Sequence, residues 1–252
     1  MFGMEIWQLA VAVGVAVLAG FVKGAIGFAL PMIMLSVYAS IFDADTALAL
    51  LILPVTATNV AQALRQGWRA AWETAVQYRL HLITLLVCIA ISANFVTILP
   101  QAVAYALLGG PIILYSVSEI LGYGFRLHTR HAKQFEFWSS VVGGLFGGIS
   151  GIWGPPLIAY LMSMKVEKTE AMRIMGVSFF AGGVMLTGAH LMTGVMNAHT
   201  FPMSALLVIP SFVGLWLGFR AHDRLNAVMF RRATLFVLML TGMNLLRKAF
   251  MG

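Results

Sequence analysis

Two glycine- and proline-rich stretches, GFVKGAIGFALPMI from Gly20 to Ile33 and GISGIWGPPLIAY from Gly148 to Tyr160, resemble each other with one residue of slippage. Each lies near the middle of an apolar run, residues 5–41 and 137–164, that is too long for one ordinary membrane span. Because clustered glycine and proline interrupt helices, each run is predicted to be a broken or re-entrant helical hairpin.

The overall composition is that of a protein embedded in a membrane. Of 252 residues, 60% are hydrophobic and 10% are charged, whereas a soluble domain has about 25% charged residues. The formal charge of +7 does not indicate nucleic-acid binding, because the basic residues lie in short breaks between apolar runs. The single cysteine, Cys88, excludes a disulfide scaffold. Since acidic Glu5 precedes the first run, we expect mature structure there rather than a signal peptide.

Six further apolar runs have about the length of one membrane span each. They lie at residues 44–64, 80–98, 103–125, 171–194, 201–219 and 233–249. Each hairpin is therefore followed by three spans, which predicts an all-α polytopic membrane protein of two related halves. The halves are residues 1–125 and 137–252, joined by a charged linker at 126–136, and a short helix is expected between Arg65 and Arg79.

The distribution of basic residues predicts the orientation. If both interrupted runs return to their own side, thirteen of the sixteen Lys and Arg residues share one face; if the second run crossed once, no bias would remain. The positive-inside rule therefore favours two hairpins, with basic loops cytoplasmic and both termini periplasmic in a bacterial inner membrane. The second run must be re-entrant, because about 28 residues rising 1.5 Å each cannot cross a core of roughly 30 Å twice.

Three full crossings in each half would place the second half upside down relative to the first. The predicted fold is thus an inverted repeat, each half being a hairpin followed by three transmembrane helices. Secondary transporters built in this way bind their substrate near the midplane, where broken helices of the two halves meet, and rock one half against the other.

Interrupted helices predict the chemistry of the site. A helix that begins inside the membrane leaves its first N–H groups unpaired, and its N-terminal end carries roughly +0.5 charge. Helices that begin near Gly27 and Gly154 would together attract an anion, and Pro155 suits a helix start. The alternative is that the glycines serve only tight helix packing, as in Gly20-xxx-Gly24 and Gly147-xxx-Gly151.

Lys23 is the most informative single charge. A lysine at the bilayer centre costs about 2.5 to 3.5 kcal/mol on insertion scales, so it needs an anionic partner, a wet cavity or a route to the interface. Beside a helix N-terminus it would add a full positive charge for an anionic substrate. In the alternative, the first run crosses fully and Lys23 extends to the cytoplasmic surface.

Polar and aromatic residues near the breaks and on the following spans complete the set of candidates. Asn59 offers two donors and an acceptor, whereas Thr56, Thr58 and Ser178 belong to types that mostly bond their own backbone in membrane helices. Trp153, in mid-run beside glycine, is a candidate pocket wall. The candidate substrate-binding residues are Lys23, Gly24, Gly27, Phe28, Asn59, Ser150, Gly151, Trp153, Gly154, Pro155 and Ser178.

Catalytic and metal chemistry are not expected. No histidine pair has metal-ligand spacing backed by carboxylates, and no His/Asp/Glu cluster lies at membrane depth. We therefore expect no metal, no cofactor and no enzyme activity. Candidates for a proton relay are few, since His81, His190 and His199 lie at or toward the ends of runs and Glu119 lies near the cytoplasmic end of its run.

At these residues the chain resembles the TauE/SafE sulfite-exporter family, also called the toluenesulfonate uptake permease family. The resemblance covers essentially the whole chain. It rests on two motifs of the type G-x-x-x-G-x-x-G-x-G-G, at Gly20, Gly24 and Gly27 and at Gly148, Gly151 and Gly154, and on a closing segment from Gly214 to Arg231. The chain departs from the motif at Phe28-Ala29 and Pro155-Pro156, where glycines are usual.

The resemblance implies transport of small sulfur-containing or carboxylated anions. Together with the residues, it predicts a secondary transporter of sulfite or an organosulfonate such as sulfoacetate, working by alternating access. A carrier of carboxylates or other anions on the same fold, and a membrane subunit without transport activity, are the alternatives. The direction of transport, the coupling ion (H⁺ or Na⁺) and the formation of a homodimer are left open.

Overall fold

The computed structural model describes residues 5–95, 100–123, 131–150, 153–164, 166–192 and 195–222, with scattered positions beyond 222. Within these ranges the elements are ten α-helices and one 3₁₀ turn at Ala93–Phe95. The helices are α1 (Ile6–Ile26), α2 (Leu30–Tyr38), α3 (Ala44–Ala63), α4 (Trp68–Gln77), α5 (Arg79–Ser92), α6 (Gln101–Ile120), α7 (Ala132–Ser150), α8 (Gly154–Ser163), α9 (Lys168–Met192) and α10 (Thr200–His222).

Four of these helices, α1, α3, α9 and α10, are each long and apolar enough to cross a membrane. The pair of α4 and α5, bent by 79°, is a fifth candidate span. The prediction of a multi-pass membrane protein, which was made from the composition, is therefore confirmed. The short helix expected between Arg65 and Arg79 is α4.

The first interrupted run is a hairpin with unequal arms. Its 21-residue first arm, α1, is about 31 Å long, whereas the nine-residue α2 is about 14 Å long. The chain turns at residues 27–29, and α2 folds back so that the Tyr38 hydroxyl donates to the carbonyl oxygen of Ala12 at 2.8 Å. The break therefore follows a helix that is itself long enough to span the membrane.

The second interrupted run has the same shape. Its arms are α7, with 19 residues, and α8, with 10 residues, and α8 packs against α7. Of the residues between these arms, the structure describes Trp153. In both runs a long helix thus precedes a short one.

The long arms of the two hairpins pack reciprocally. α1 lies against α10, which follows the second hairpin in sequence, and α7 lies against α5, which follows the first. In addition, α3 packs on α9. Glycines bring these helices together: a Cβ added at Gly20 would lie 2.2 Å from the carbonyl oxygen of Ser211, and one at Gly148 would lie 2.6 Å from that of Ile89. Glycine at these positions permits a backbone-to-backbone contact that alanine would prevent.

A proline inside α3 is compensated by a side chain of α10. Pro54 has no N–H, so the carbonyl of Leu50 lacks its usual helical partner. The buried Ser204 hydroxyl donates to that carbonyl at 3.2 Å and accepts from the N–H of Leu53 at 3.2 Å. The contact between α3 and α10 therefore satisfies backbone groups that lipid could not.

Candidate functional site

A cavity lies between the two hairpin breaks. The lining residues come from both hairpins, α3 and α9. The cavity that they form is small, about 20 Å³, and is partly open to the outside. The lining consists of Lys23, Phe28, Ala29, Pro31, Met32, Val55, Asn59, Trp153, Gly154 and Phe179.

Both short arms of the hairpins begin at this cavity. α2 starts at Leu30, between the lining residues Ala29 and Pro31, and α8 starts at the lining residue Gly154. The first N–H groups of a helix have no partner within the helix, and they give its N-terminal end a partial positive charge. Two positive helix ends therefore border one cavity.

The first break is a turn with left-handed backbone. Gly27 ends α1 at φ +88°, and Ala29 precedes α2 at φ +81°. Glycine adopts this conformation freely, but alanine pays about 1 to 2 kcal/mol. Ala29 is the one non-glycine residue with positive φ among those the structure describes. It occupies a position where the motif usually has glycine, and its buried methyl group lines the cavity.

Lys23 is buried at the cavity and does not reach the protein surface. Its side chain is 1% exposed, and its Nζ donates a hydrogen bond to Oδ1 of Asn59. Lys23 lies in the last turn of α1, where a cation interacts favourably with the helix dipole. No acidic residue is among those described in the lining. The interpretation in which Lys23 extends to the cytoplasmic surface is therefore wrong.

The polar side-chain groups of the described lining are hydrogen-bond donors. Because lysine only donates, Lys23 fixes Oδ1 of Asn59 toward Nζ and leaves the Nδ2 amide as a donor. Nδ2 of Asn59 and Nε1 of Trp153 are both buried and have no hydrogen-bond partner among the described atoms. A buried donor without a partner costs about 1 to 3 kcal/mol. A positive charge and two N–H donors therefore suit an anionic ligand.

Packing holds the indole ring of Trp153 in place. A Cβ added at Gly147 or Gly182 would lie 2.9 Å from a ring atom, so these glycines of α7 and α9 make room for the indole. Phe179 meets the ring edge-on, with 6.2 Å between centroids. Because α7 and α9 both contact the ring, the position of its N–H is set by the second hairpin and α9 together.

Gln62 ties the first break to α9. Its Nε2 donates to the carbonyl oxygen of Gly27 at 2.8 Å and to that of Met172 at 2.9 Å, and the side chain is 1% exposed. Because α1 ends at this break, the carbonyl oxygen of Gly27 has no partner within the helix, and Gln62 supplies the hydrogen bond instead. Sequence reasoning missed Gln62, although a second amide one turn after Asn59 on the same apolar run was an available signal.

The structure places Lys23, Phe28, Asn59, Trp153 and Gly154 of the predicted site residues in the lining. The remaining described candidates, Gly24, Gly27 and Ser178, are not part of the lining. Gly151 and the side chains of Ser150 and Pro155 lie outside the described residues.

Gly24 is explained by helix packing, because a Cβ there would lie 2.3 Å from the carbonyl oxygen of Leu215 on α10. Gly27 shapes the turn. The Ser178 hydroxyl is buried without a described partner, next in sequence to Phe179. Thr56 and Thr58 bond carbonyls of their own helix, as is usual for threonine in membrane helices.

Five lining residues were not predicted as binding residues: Ala29, Pro31, Met32, Val55 and Phe179. Four of them are ordinary apolar residues of a chain that is 60% hydrophobic, so nothing in the sequence sets them apart. Pro31 was noticed as part of the break, not as a wall of the site.

Comparison with known proteins gives two matches. The family model described as "Sulfite exporter TauE/SafE" matches residues 12–245. The curated protein "Probable sulfite/organosulfonate exporter TauE" of Cupriavidus necator is 27% identical over 230 residues, which cover 88% of each chain. No solved structure matches the chain. The family match includes the first hairpin from residue 12 onward, the whole second hairpin and every residue of the cavity lining.

Proposed function

This chain belongs to the sulfite exporter TauE/SafE family, and we propose that it carries sulfite or an organosulfonate such as sulfoacetate across the bacterial inner membrane by alternating access. The family is one of membrane exporters, so the chain is a membrane transporter and not an enzyme. Its substrate is a small anion. The choice of sulfite or sulfonate follows the printed name of the relative from Cupriavidus necator.

The observation that carries this proposal is the set of donors in the cavity. The Lys23 ammonium, the Asn59 amide and the Trp153 N–H line one cavity with two helix N-termini, and the described lining contains no carboxylate. A sulfite or sulfonate group presents three acceptor oxygens around one sulfur atom. Three separate donors in one cavity can each meet one of these oxygens, whereas a carboxylate presents only two.

Apolar residues form the rest of the wall. Phe28, Met32, Val55 and Phe179 lower the local dielectric constant, and this strengthens the attraction between Lys23 and an anion. The cavity therefore favours a compact anion whose charged group lies next to Lys23.

We propose that the two hairpins are equivalent elements of the two halves and that both take part in alternating access. Reciprocal contacts of α1 with α10 and of α7 with α5 support an inverted repeat with six full crossings and two hairpins. Basic loops in the cytoplasm and periplasmic termini belong to the same proposal. Rocking one half against the other would open the cavity first to one side and then to the other.

Exchange of radiolabelled sulfite in proteoliposomes that contain the purified chain tests this function. We expect sulfite inside the vesicles to drive uptake of labelled sulfite, and we expect sulfoacetate and isethionate to compete better than malonate and glycolate. Arg69→Met, which changes an exposed basic residue, serves as a matched control and should exchange sulfite normally. Equal competition by the carboxylates would indicate a general anion carrier, and absence of exchange would contradict the proposal.

A further inference from the structure

A second buried polar cluster lies where α5 meets α7. His81, near the start of α5, is 1% exposed, and its Nδ1 lies 3.0 Å from Oγ of Ser140 on α7. The Ser140 hydroxyl also bonds the carbonyl oxygen of Glu136. A carboxylate oxygen of Glu136 in turn accepts from the backbone N–H of His81 at 3.3 Å. We call His81, Glu136 and Ser140 the His81 cluster.

The hydrogen bonds of this cluster fix the tautomer of the histidine. Serine has one hydroxyl proton, and a carbonyl can only accept, so Ser140 donates to Glu136 and must accept from Nδ1 of His81. The Nδ1 atom of the neutral ring therefore carries the proton, and Nε2 holds a free lone pair. Nε2 is buried without a hydrogen-bond partner among the described atoms. This atom is an unused acceptor inside the protein.

Burial disfavours a charged His81 ring, and the carboxylate of Glu136 beside the His81 backbone acts in the opposite direction. Glu136 contacts the backbone of His81 directly, and a carboxylate close to an imidazole stabilises the imidazolium form. The two residues before His81, Arg79 and Leu80, are exposed on the surface of the protein. The other titratable or charged groups on α5 and on the elements around it include Arg69, Glu73, Tyr78, Arg79, Cys88, Lys133, Tyr160, Glu170, Arg173 and His190.

The His81 cluster is connected to the wall of the anion cavity through one helix contact. On α7, Ser140 lies one turn before Gly143, and a Cβ at Gly143 would lie 3.2 Å from the carbonyl oxygen of Trp153 and 3.7 Å from the side chain of Leu85. On α5, Leu85 follows His81 by one turn. The His81 cluster and the cavity wall at Trp153 therefore share the contact between α5 and α7.

We propose that the His81 cluster is the proton-binding site that couples anion movement to a proton gradient. A proton from water adds to the Nε2 lone pair, the ring becomes an imidazolium that keeps its Nδ1–H bond to Ser140, and the same proton later leaves to water on the opposite side. The negative charge of Glu136 balances the imidazolium. This inference rests on the transport function proposed above and adds the coupling ion and its site.

Two measurements on the same proteoliposomes separate coupling from transport. The first is sulfite exchange at equal pH on both sides, and the second is sulfite accumulation driven by an imposed pH gradient. His81→Gln keeps a polar side chain that cannot take up a proton, whereas His199→Gln changes an exposed histidine and is the matched control. Sulfite ionises identically in all samples, so differences between variants come from the protein.

We expect His81→Gln to retain exchange and to lose accumulation, and His199→Gln to retain both. Ser140→Ala removes the acceptor for Nδ1–H, so it should retain exchange and accumulate less sulfite. Accumulation by His81→Gln at the wild-type level would overturn the inference, as would a wild-type protein that exchanges sulfite but ignores the pH gradient. Loss of exchange in both His81→Gln and Ser140→Ala would mean that the cluster only holds the fold, which also overturns it. Failure of exchange in the wild-type protein would instead contradict the transport function.

Discussion

Lys23 and Asn59 form a buried hydrogen bond that joins the last turn of α1 to α3 beside the cavity. A buried ammonium is costly unless a counter-charge is close, and the described lining contains no acidic residue. Asn59 accepts one hydrogen bond from Lys23 but cannot neutralise it. We infer that the transported anion supplies the missing charge, and the first two predictions test this relationship.

Replacing Lys23 by methionine should weaken sulfite binding while leaving the fold intact. Methionine keeps the length and burial of the side chain but removes the charge. A hydrogen bond to a charged group contributes about 1.5 to 3 kcal/mol, so we expect affinity to fall about 10- to 100-fold. Isothermal titration of the purified variant measures this loss. An affinity equal to that of the wild type and of Arg69→Met would remove Lys23 from the site.

Asn59→Asp should affect stability and binding in opposite directions. The new carboxylate pairs with Lys23, so the ligand-free protein should unfold at a higher temperature than the wild type. The same carboxylate repels an anion and occupies the ammonium, so sulfite exchange should be lost. Asn94→Asp, at an exposed position, is the control for exchange, which should be normal. It should not unfold at a higher temperature, because it loses the amide donor to the Ala90 carbonyl. An active Asn59→Asp variant would be incompatible with an anion bound at this pair.

Trp153→Phe tests the indole N–H as a donor. Phenylalanine preserves an aromatic ring between Gly147, Gly182 and Phe179 but has no N–H. Loss of one neutral hydrogen bond of about 0.5 to 1.5 kcal/mol predicts a roughly two- to tenfold weaker sulfite affinity. Trp138→Phe, which alters an indole that is 60% exposed, should bind normally. Equal affinities of the two variants would show that Trp153 is only a wall.

Much of the site can be predicted from the sequence, because its key residues differ in type from the apolar residues around them. Glycine and proline inside apolar runs predict the breaks, and a lysine inside such a run predicts a cavity, so Lys23 and Gly154 were identifiable. Phe179 and Met32 were not, since an apolar residue in an apolar chain carries no signal of which face it presents.

The glycines show the limit of reasoning from a motif. Gly24 and Gly27 belong to one motif, but Gly24 permits contact with α10 and Gly27 adopts a positive φ. Spacing alone cannot separate these roles, because both require a residue without a Cβ. The unequal arms of the first hairpin were also not predicted, since helix-compatible residues continue without interruption up to Ile26.

Ala29→Gly should stabilise the protein. The left-handed conformation costs alanine about 1 to 2 kcal/mol, and glycine loses about 0.5 to 1 kcal/mol through its greater freedom in the unfolded chain. The net gain should be up to about 1 kcal/mol in the free energy of unfolding. Ala39→Gly, at a buried position with φ −65°, offers no such relief and should destabilise. Equal losses in the two variants, measured by thermal denaturation, would contradict strain at Ala29.

Ser204→Ala should destabilise the contact between α3 and α10. It removes the partner of the Leu50 carbonyl at Pro54, and a buried group left unpaired costs about 1 to 3 kcal/mol. Ser211→Ala is the matched control on the same helix, because the Ser211 hydroxyl is buried without a described partner. Thermal denaturation should therefore show a lower midpoint for Ser204→Ala only. A loss of stability in Ser211→Ala as large as that in Ser204→Ala would refute the compensation of Pro54.

The location of a bound anion decides whether the donors around the cavity form the substrate site. Crystals grown with selenite, the selenium analogue of sulfite, allow the anion to be located by anomalous scattering. We expect a selenite whose oxygen lies about 3 Å from Nζ of Lys23, within reach of Asn59 and Trp153. Selenite found only near the basic ends of the helices, around Arg65 and Arg173, with none in the cavity, would contradict a substrate site between the two hairpin breaks.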